Sequence, residues 1–181
     1  ENLKPLLKAI IENRKIAFNH YNFQTEKVTA YTLKPYLLRE YLNRWYVIGI
    51  VDGTKALRIF GIDRVRDLDI KAETFTPDQN LDPACLFDQT IGLMFSQNTV
   101  QDVVLSFTHT QGKYIKTLPL HKSQKVLVDN EKECRIVLRV IPNYELTQEI
   151  LMHGDTVKVL EPAWLVDKIQ QILERTLEKY R

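Results

Sequence analysis

The chain has 181 residues, 44% of them hydrophobic and 27% charged, with a formal net charge of +2. This composition excludes a disordered chain and suits one ordinary domain or two small ones, each with its own core. No apolar run approaches the roughly 20 residues of a membrane span, and the near-neutral charge gives no global sign of nucleic-acid binding.

Residues 2–14 read as a short amphipathic helix, with Leu3, Leu6, Leu7, Ile10 and Ile11 at helical spacing and Pro5 in the first turn. From Lys15 the period changes to strands: 15–23, 27–35, the apolar run 45–51, 55–60 and 63–70. Asp52-Gly53 marks a hairpin turn. Strands with tight turns and no helices predict a small β-barrel or curled sheet. Pro77, Asp78, Asn80, Asp82 and Pro83 then break the pattern. In this stretch 84–90 is expected to form one or two helical turns, and the apolar 91–95 to pack on the barrel.

The remainder reads as strand 103–107, helix 108–117 weakened by Gly112, strands 124–128 and 134–141, and helix 144–153 capped by Gly154. Strand 157–160 follows, then a helix opened by Pro162, with Leu165, Ile169, Ile172, Leu173 and Leu177 on one face. Strand, helix, strand, strand, helix, strand is the order of a ferredoxin-like sandwich. The predicted class is therefore α+β, divided as an N-terminal helix (1–14), a β-barrel (15–75), a connector (76–100) and a ferredoxin-like extension (101–181).

Cys85 and Cys134 lie far apart without CxxC spacing, which argues against zinc or thioredoxin-like chemistry. They read as reduced thiols of a cytoplasmic protein. His20, His109, His121 and His153 show no metal-ligand spacing, and there is no nucleophile elbow, HExxH or P-loop. The expectation is a protein that is not an enzyme and carries no metal or cofactor. His121, Ser123 and Gln124 read as structural hydrogen-bonders that fix a strand entry, with capping of a ligand pocket as the alternative, and His109 reads as solvent-facing.

Arg39, Arg44, Arg58, Arg64 and Arg66 interleave with Tyr31, Tyr36, Tyr41, Trp45 and Tyr46. Arginine offers a planar fork for phosphate oxygens, and aromatics offer stacking surfaces. Trp45 in its apolar strand is assigned to core packing, as is Phe60. Tyr46 points to the opposite face, where core packing and ligand contact stay open. A salt bridge to Asp63 or Asp67 competes for Arg64.

Arg44-Trp45-Tyr46-Val47-Ile48-Gly49, preceded by Pro35 and Leu38, resembles the central strand of the WYL family, with Val47 replacing the usual leucine. Arg58-Ile59-Phe60 followed by Asp63-Arg64-Val65 resembles its next signature. Leu120 to Gln124, and Val159-Leu160-Glu161-Pro162 with Trp164-Leu165, resemble its C-terminal extension. The resemblance implies an SH3- or Sm-like barrel plus a ferredoxin-like extension, in a transcriptional regulator that reaches promoter DNA through an N-terminal domain. The start Glu-Asn-Leu-Lys is read as that of a fragment. Arg58 and Arg64 are favoured as ligand contacts, and Arg39 stays open. Tyr31 and His20 are candidates for lining the same pocket, with half-buried structural roles as the alternative. The expected ligand is a nucleotide or single-stranded nucleic acid. The alternative is a protein-interaction module or homodimer.

Overall fold

A computed structural model describes residues 2–79, 81–82, 85–94 and 99–181. Asn80, Pro83, Ala84 and Phe95, named above, lie outside the described residues. The chain divides into two compact units, residues 1–85 and 86–181. No helix among the described residues is long and apolar enough to cross a membrane.

The first unit opens with α1 (Leu3–Ile11). Its start is tied down by the Asn2 amide, which donates to the Val65 carbonyl at 3.2 Å. Five strands follow: β1 (Arg14–Asn22), β2 (Lys27–Tyr41), β3 (Arg44–Val51), β4 (Leu57–Gly61) and β5 (Val65–Thr74). They form one antiparallel sheet in the order β4-β3-β2-β1-β5. β4 and β5 are the two edges, so of the expected forms, a small β-barrel or a curled sheet, the sheet is not closed into a barrel. Leu6 and Ala9 of α1 pack with Ile16, Phe18, Leu33, Val47, Phe60 and Val65.

Several boundaries differ from expectation for local reasons. β2 runs six residues past Pro35 because the pairing with β3 slips between Pro35 and Leu37. A bulge tolerates the missing proline N–H. Leu42 and Asn43, both at positive φ, then make a two-residue hairpin. At the next connection Gly53 has φ 74°, and the Val51 amide donates to Ala56 O, so β4 starts at Leu57 rather than Lys55. Ile62–Arg64 form a 3-10 turn before β5.

The second unit runs β6 (Gln101–Thr108), α2 (His109–Thr117), β7 (Lys125–Asp129), β8 (Glu133–Val140), α3 (Tyr144–Met152), β9 (Val157–Glu161) and α4 (Ala163–Glu178). The antiparallel sheet order is β7-β8-β6-β9, the strand order of a ferredoxin-like sheet. Alternation puts Val103, Leu105 and Phe107 opposite Leu138, Ile136 and Cys134, all on the face covered by the helices. Ile115 of α2, Leu146 and Ile150 of α3, and Leu165 and Ile169 of α4 complete this core.

Gly112 does not merely weaken α2. A Cβ there would collide with the Cβ of Cys134, so the glycine lets helix and strand approach closely. Gly154, at φ 56°, takes the left-handed position that ends α3. Asn143 caps α3 by accepting from the Leu146 amide at 2.8 Å. Its own amide donates to Ile91 O and Met94 O, while Glu145 accepts from the Leu93 and Met94 amides. The stripe of α4 is only half covered: Leu173 and Leu177 are 51% and 52% exposed.

Candidate functional site

The first unit gathers aromatic and basic side chains around Phe60, which is buried at the end of β4. In register, Phe18 faces Tyr31 across β1 and β2, and Val47 faces Phe60 across β3 and β4. Alternation therefore places Phe18, His20, Tyr31, Arg58 and Phe60 on one face of the sheet. Ring centroids lie 4.8 Å apart for Tyr31 and Phe60, 5.0 Å for Phe18 and Phe60, and 5.1 Å for His20 and Phe60. Such tilted and edge-on contacts are the favourable arrangements for aromatic rings.

Arg58 projects beside this cluster. One guanidinium nitrogen donates to the Tyr31 hydroxyl at 3.5 Å, and its Cζ lies 5.9 Å from the Tyr31 ring. Its partner across the strands is Gly49. A Cβ at Gly49 would meet the Lys34 carbonyl oxygen, so the strand spacing itself requires glycine there.

His20 is 9% exposed, and its Nε2 has no hydrogen-bond partner among the described residues. Burial pushes this imidazole below its ordinary value; the Arg64 charge acts in the same direction, and Asp63 opposes. The Nε of Arg64 is likewise buried without a partner. The Arg64 guanidinium lies 5.0 Å from the exposed Phe23 ring, and Asp63 sits 3.9 Å from its Nε. The salt bridge expected as a competing role is thus present through Asp63, which also accepts from Arg44 at 3.2 Å.

Tyr46 and Arg39 occupy a different face. They pair directly across β2 and β3, with Gly61 as the β4 partner of Tyr46. Tyr46 is half-buried and alternates away from Phe60. Of the six candidates, His20, Tyr31 and Arg58 converge on one face, Arg39 and Tyr46 share the other, and Arg64 lies at the Gly61 end of β4. Trp45 is a correction: it is 40% exposed. It pairs with Glu40 beyond the last buried row, Leu38 and Val47, so the apolar run overstates its burial.

In the second unit, His121, Ser123 and Gln124 hold a turn. The Ser123 amide and hydroxyl lie 3.1 and 2.8 Å from His121 Nδ1. The Ser123 hydroxyl also bonds the Arg139 backbone, and Gln124 links Leu120 N with Ile115 O. The hydrogen bonds are those of a structural element. His109 Nδ1 lies 2.7 Å from Asn130 O, so this residue is a hairpin contact. Among the described residues, no three His, Cys, Asp or Glu side chains are grouped to hold a metal ion.

Two families match the chain: the WYL domain over residues 1–70 and the WCX domain over residues 99–177. The chain carries a WYL domain followed by a WCX domain. No curated protein matches it. Among solved structures it is similar to proteasome accessory factor B/C (PafBC) of Arthrobacter aurescens, at 19% identity and a TM-score of 0.44. That match covers 92% of this chain and 25% of the other. A CRISPR Cas-related protein matches at 13% identity and a TM-score of 0.58, over 97% of this chain and 50% of that one. The chain thus spans a quarter to a half of these structures, and the second similarity concerns the fold alone.

Within the WYL domain, sequence reasoning named Asp63 as a neighbour of Arg64 but missed Phe23 and Gly61. Gly61 carried a signal, since it lies between the two quoted parts of the signature, Arg58-Ile59-Phe60 and Asp63-Arg64-Val65. Phe23, in the β1–β2 turn, carried none. The WCX domain, by contrast, holds its quoted Leu120 to Gln124 segment in a structural turn.

Proposed function

We propose that this chain is the ligand-sensing part of a transcriptional regulator, and that its WYL domain binds a nucleotide or single-stranded nucleic-acid effector. The observation that carries this reading is the gathering of Arg58, Tyr31 and His20 around Phe60, with Arg64 at the same end of the sheet. Arg58 and Arg64 supply forks for phosphate oxygens. Tyr46 and Arg39 supply a stacking ring and a third cation on the opposite face of the sheet. The buried His20 Nε2, without a hydrogen-bond partner among the described residues, leaves hydrogen-bonding capacity for a bound group. Occupancy controls an attached DNA-binding domain at a promoter only if the ligand binds two conformations with different affinity.

Titration of short labelled single-stranded DNA and RNA with wild type, Arg58→Ala and Arg64→Ala tests the reading. Each substitution is expected to weaken binding about tenfold or more, and to flatten the salt dependence by about 0.7 in log–log slope. Undetectable binding by wild type, with folding intact, overturns it.

A second reading, a protein-interaction or dimerisation module, is favoured by the WCX domain. A groove of about 150 Å³ lies between α3, β9 and α4, lined by Ile150, Leu151, Val157, Val159, Val166 and Leu173, among others. Leu177, four residues on from Leu173 along α4, is exposed as well. Stable dimers that survive loss of both arginines, without oligonucleotide binding, favour this second reading.

A further inference from the structure

We infer that Gly61 and Asp63 are positioning residues, which hold the Arg64 guanidinium in the place where the proposed anionic ligand meets it. The inference rests on the proposed binding function, and it concerns residues outside the candidate set.

Gly61 has φ −65° and ψ 125°, an extended conformation open to any residue. Backbone freedom is therefore not the reason for a glycine there. Space is. A Cβ would lie 2.6 Å from Asp63 Oδ1, 3.0 Å from Arg64 Nη2 and 3.1 Å from Arg64 Nε. The Arg64 head thus rests against the bare Cα of Gly61, on the face that also carries Tyr46. Asp63 holds the arrangement from the side. One carboxylate oxygen faces Arg64 Nε at 3.9 Å, and the other accepts from Arg44 Nη1 at 3.2 Å. Phe23 adds a ring contact with the guanidinium.

The atoms that a methyl group at Gly61 would strike are the ends of flexible side chains. They can swing away without moving the strand, so the fold survives while the Arg64 geometry is lost. Gly49 is the opposite case, since its Cβ would strike backbone, the Lys34 carbonyl. The two glycines of neighbouring strands do different jobs. An arginine held in place loses less side-chain freedom when a ligand binds, so the seat raises affinity without touching the ligand.

The test is a double-mutant cycle of Gly61→Ala and Arg64→Ala, read by oligonucleotide affinity, its salt slope and the Arg64 Nε–Hε resonance in the full chain. Gly61→Ala is expected to weaken binding about tenfold, to reproduce the shallower salt slope of Arg64→Ala, and to add nothing in the Arg64→Ala background. The Nε–Hε resonance should move while the thermal midpoint stays near wild type. Wild-type affinity with an unchanged resonance overturns the inference. A loss that adds fully to that of Arg64→Ala overturns it as well. If wild type binds no oligonucleotide, the proposed function falls, and the Nε–Hε resonance of Gly61→Ala alone still decides the seat.

Discussion

His20 shows how one residue couples the core to the candidate site. Its ring packs against Phe60 and Tyr31, so it acts as an apolar side chain while retaining an unpaired nitrogen. Burial lowers its proton affinity in the folded state, and burial does the same to His121. Both unfold towards the ordinary histidine value of 6.5, so the unfolded chain binds more protons at acid pH. Their contribution to stability is full above that value and is lost as pH falls through the depressed folded values. Thermal midpoints should therefore drop on acidification from above 6.5. His20→Phe, which keeps the ring packing, should flatten that drop. An identical pH profile for the variant would contradict this assignment. Gly49→Ala should cost about 1–3 kcal/mol in denaturant titration, because β2 and β3 must separate to admit the methyl group.

At the scale of elements, alternation and turn residues made most of the strands and helices legible. Cys134, Ile136, Leu138 and Val140 alternate cleanly, and that pattern is the buried face of β8. Where expectation and structure part, a local competitor is visible. Pro35 reads as a stop, yet a bulge absorbs it and β2 continues to Tyr41. Trp45 reads as core, yet it pairs with Glu40 beyond the row of Leu38 and Val47 and is exposed. The candidate site was half legible. Residues close in sequence, such as Arg58 and Phe60, announce themselves by spacing. Which face each occupies depends on register, and the bulge in β2 sits between Tyr31 and Arg39. Asn143 is a further element-scale feature with no separate signal, since it caps α3 and ties down 91–94 at once. Asn143→Ala should cost about 2 kcal/mol, from the lost cap and two carbonyls left without their amide donor. A thermal midpoint equal to wild type would contradict that role.

At the scale of the whole molecule, the two units carry separate cores, one per unit. Weakening one core need not loosen the other. Hydrogen exchange on Asn143→Ala should show faster exchange within residues 99–181, with protection in β1 to β5 unchanged. The same separation assigns tasks: the WYL domain holds the Arg and aromatic cluster, and the WCX domain holds the apolar groove. Amide and side-chain resonances of the full chain, followed during titration with short single-stranded DNA, test this division most directly. Shifts are expected at His20, Tyr31, Tyr46, Arg58 and Arg64, with the WCX groove residues unmoved. Shifts centred on Ile150, Val159 and Leu173, with the WYL cluster silent, would contradict it.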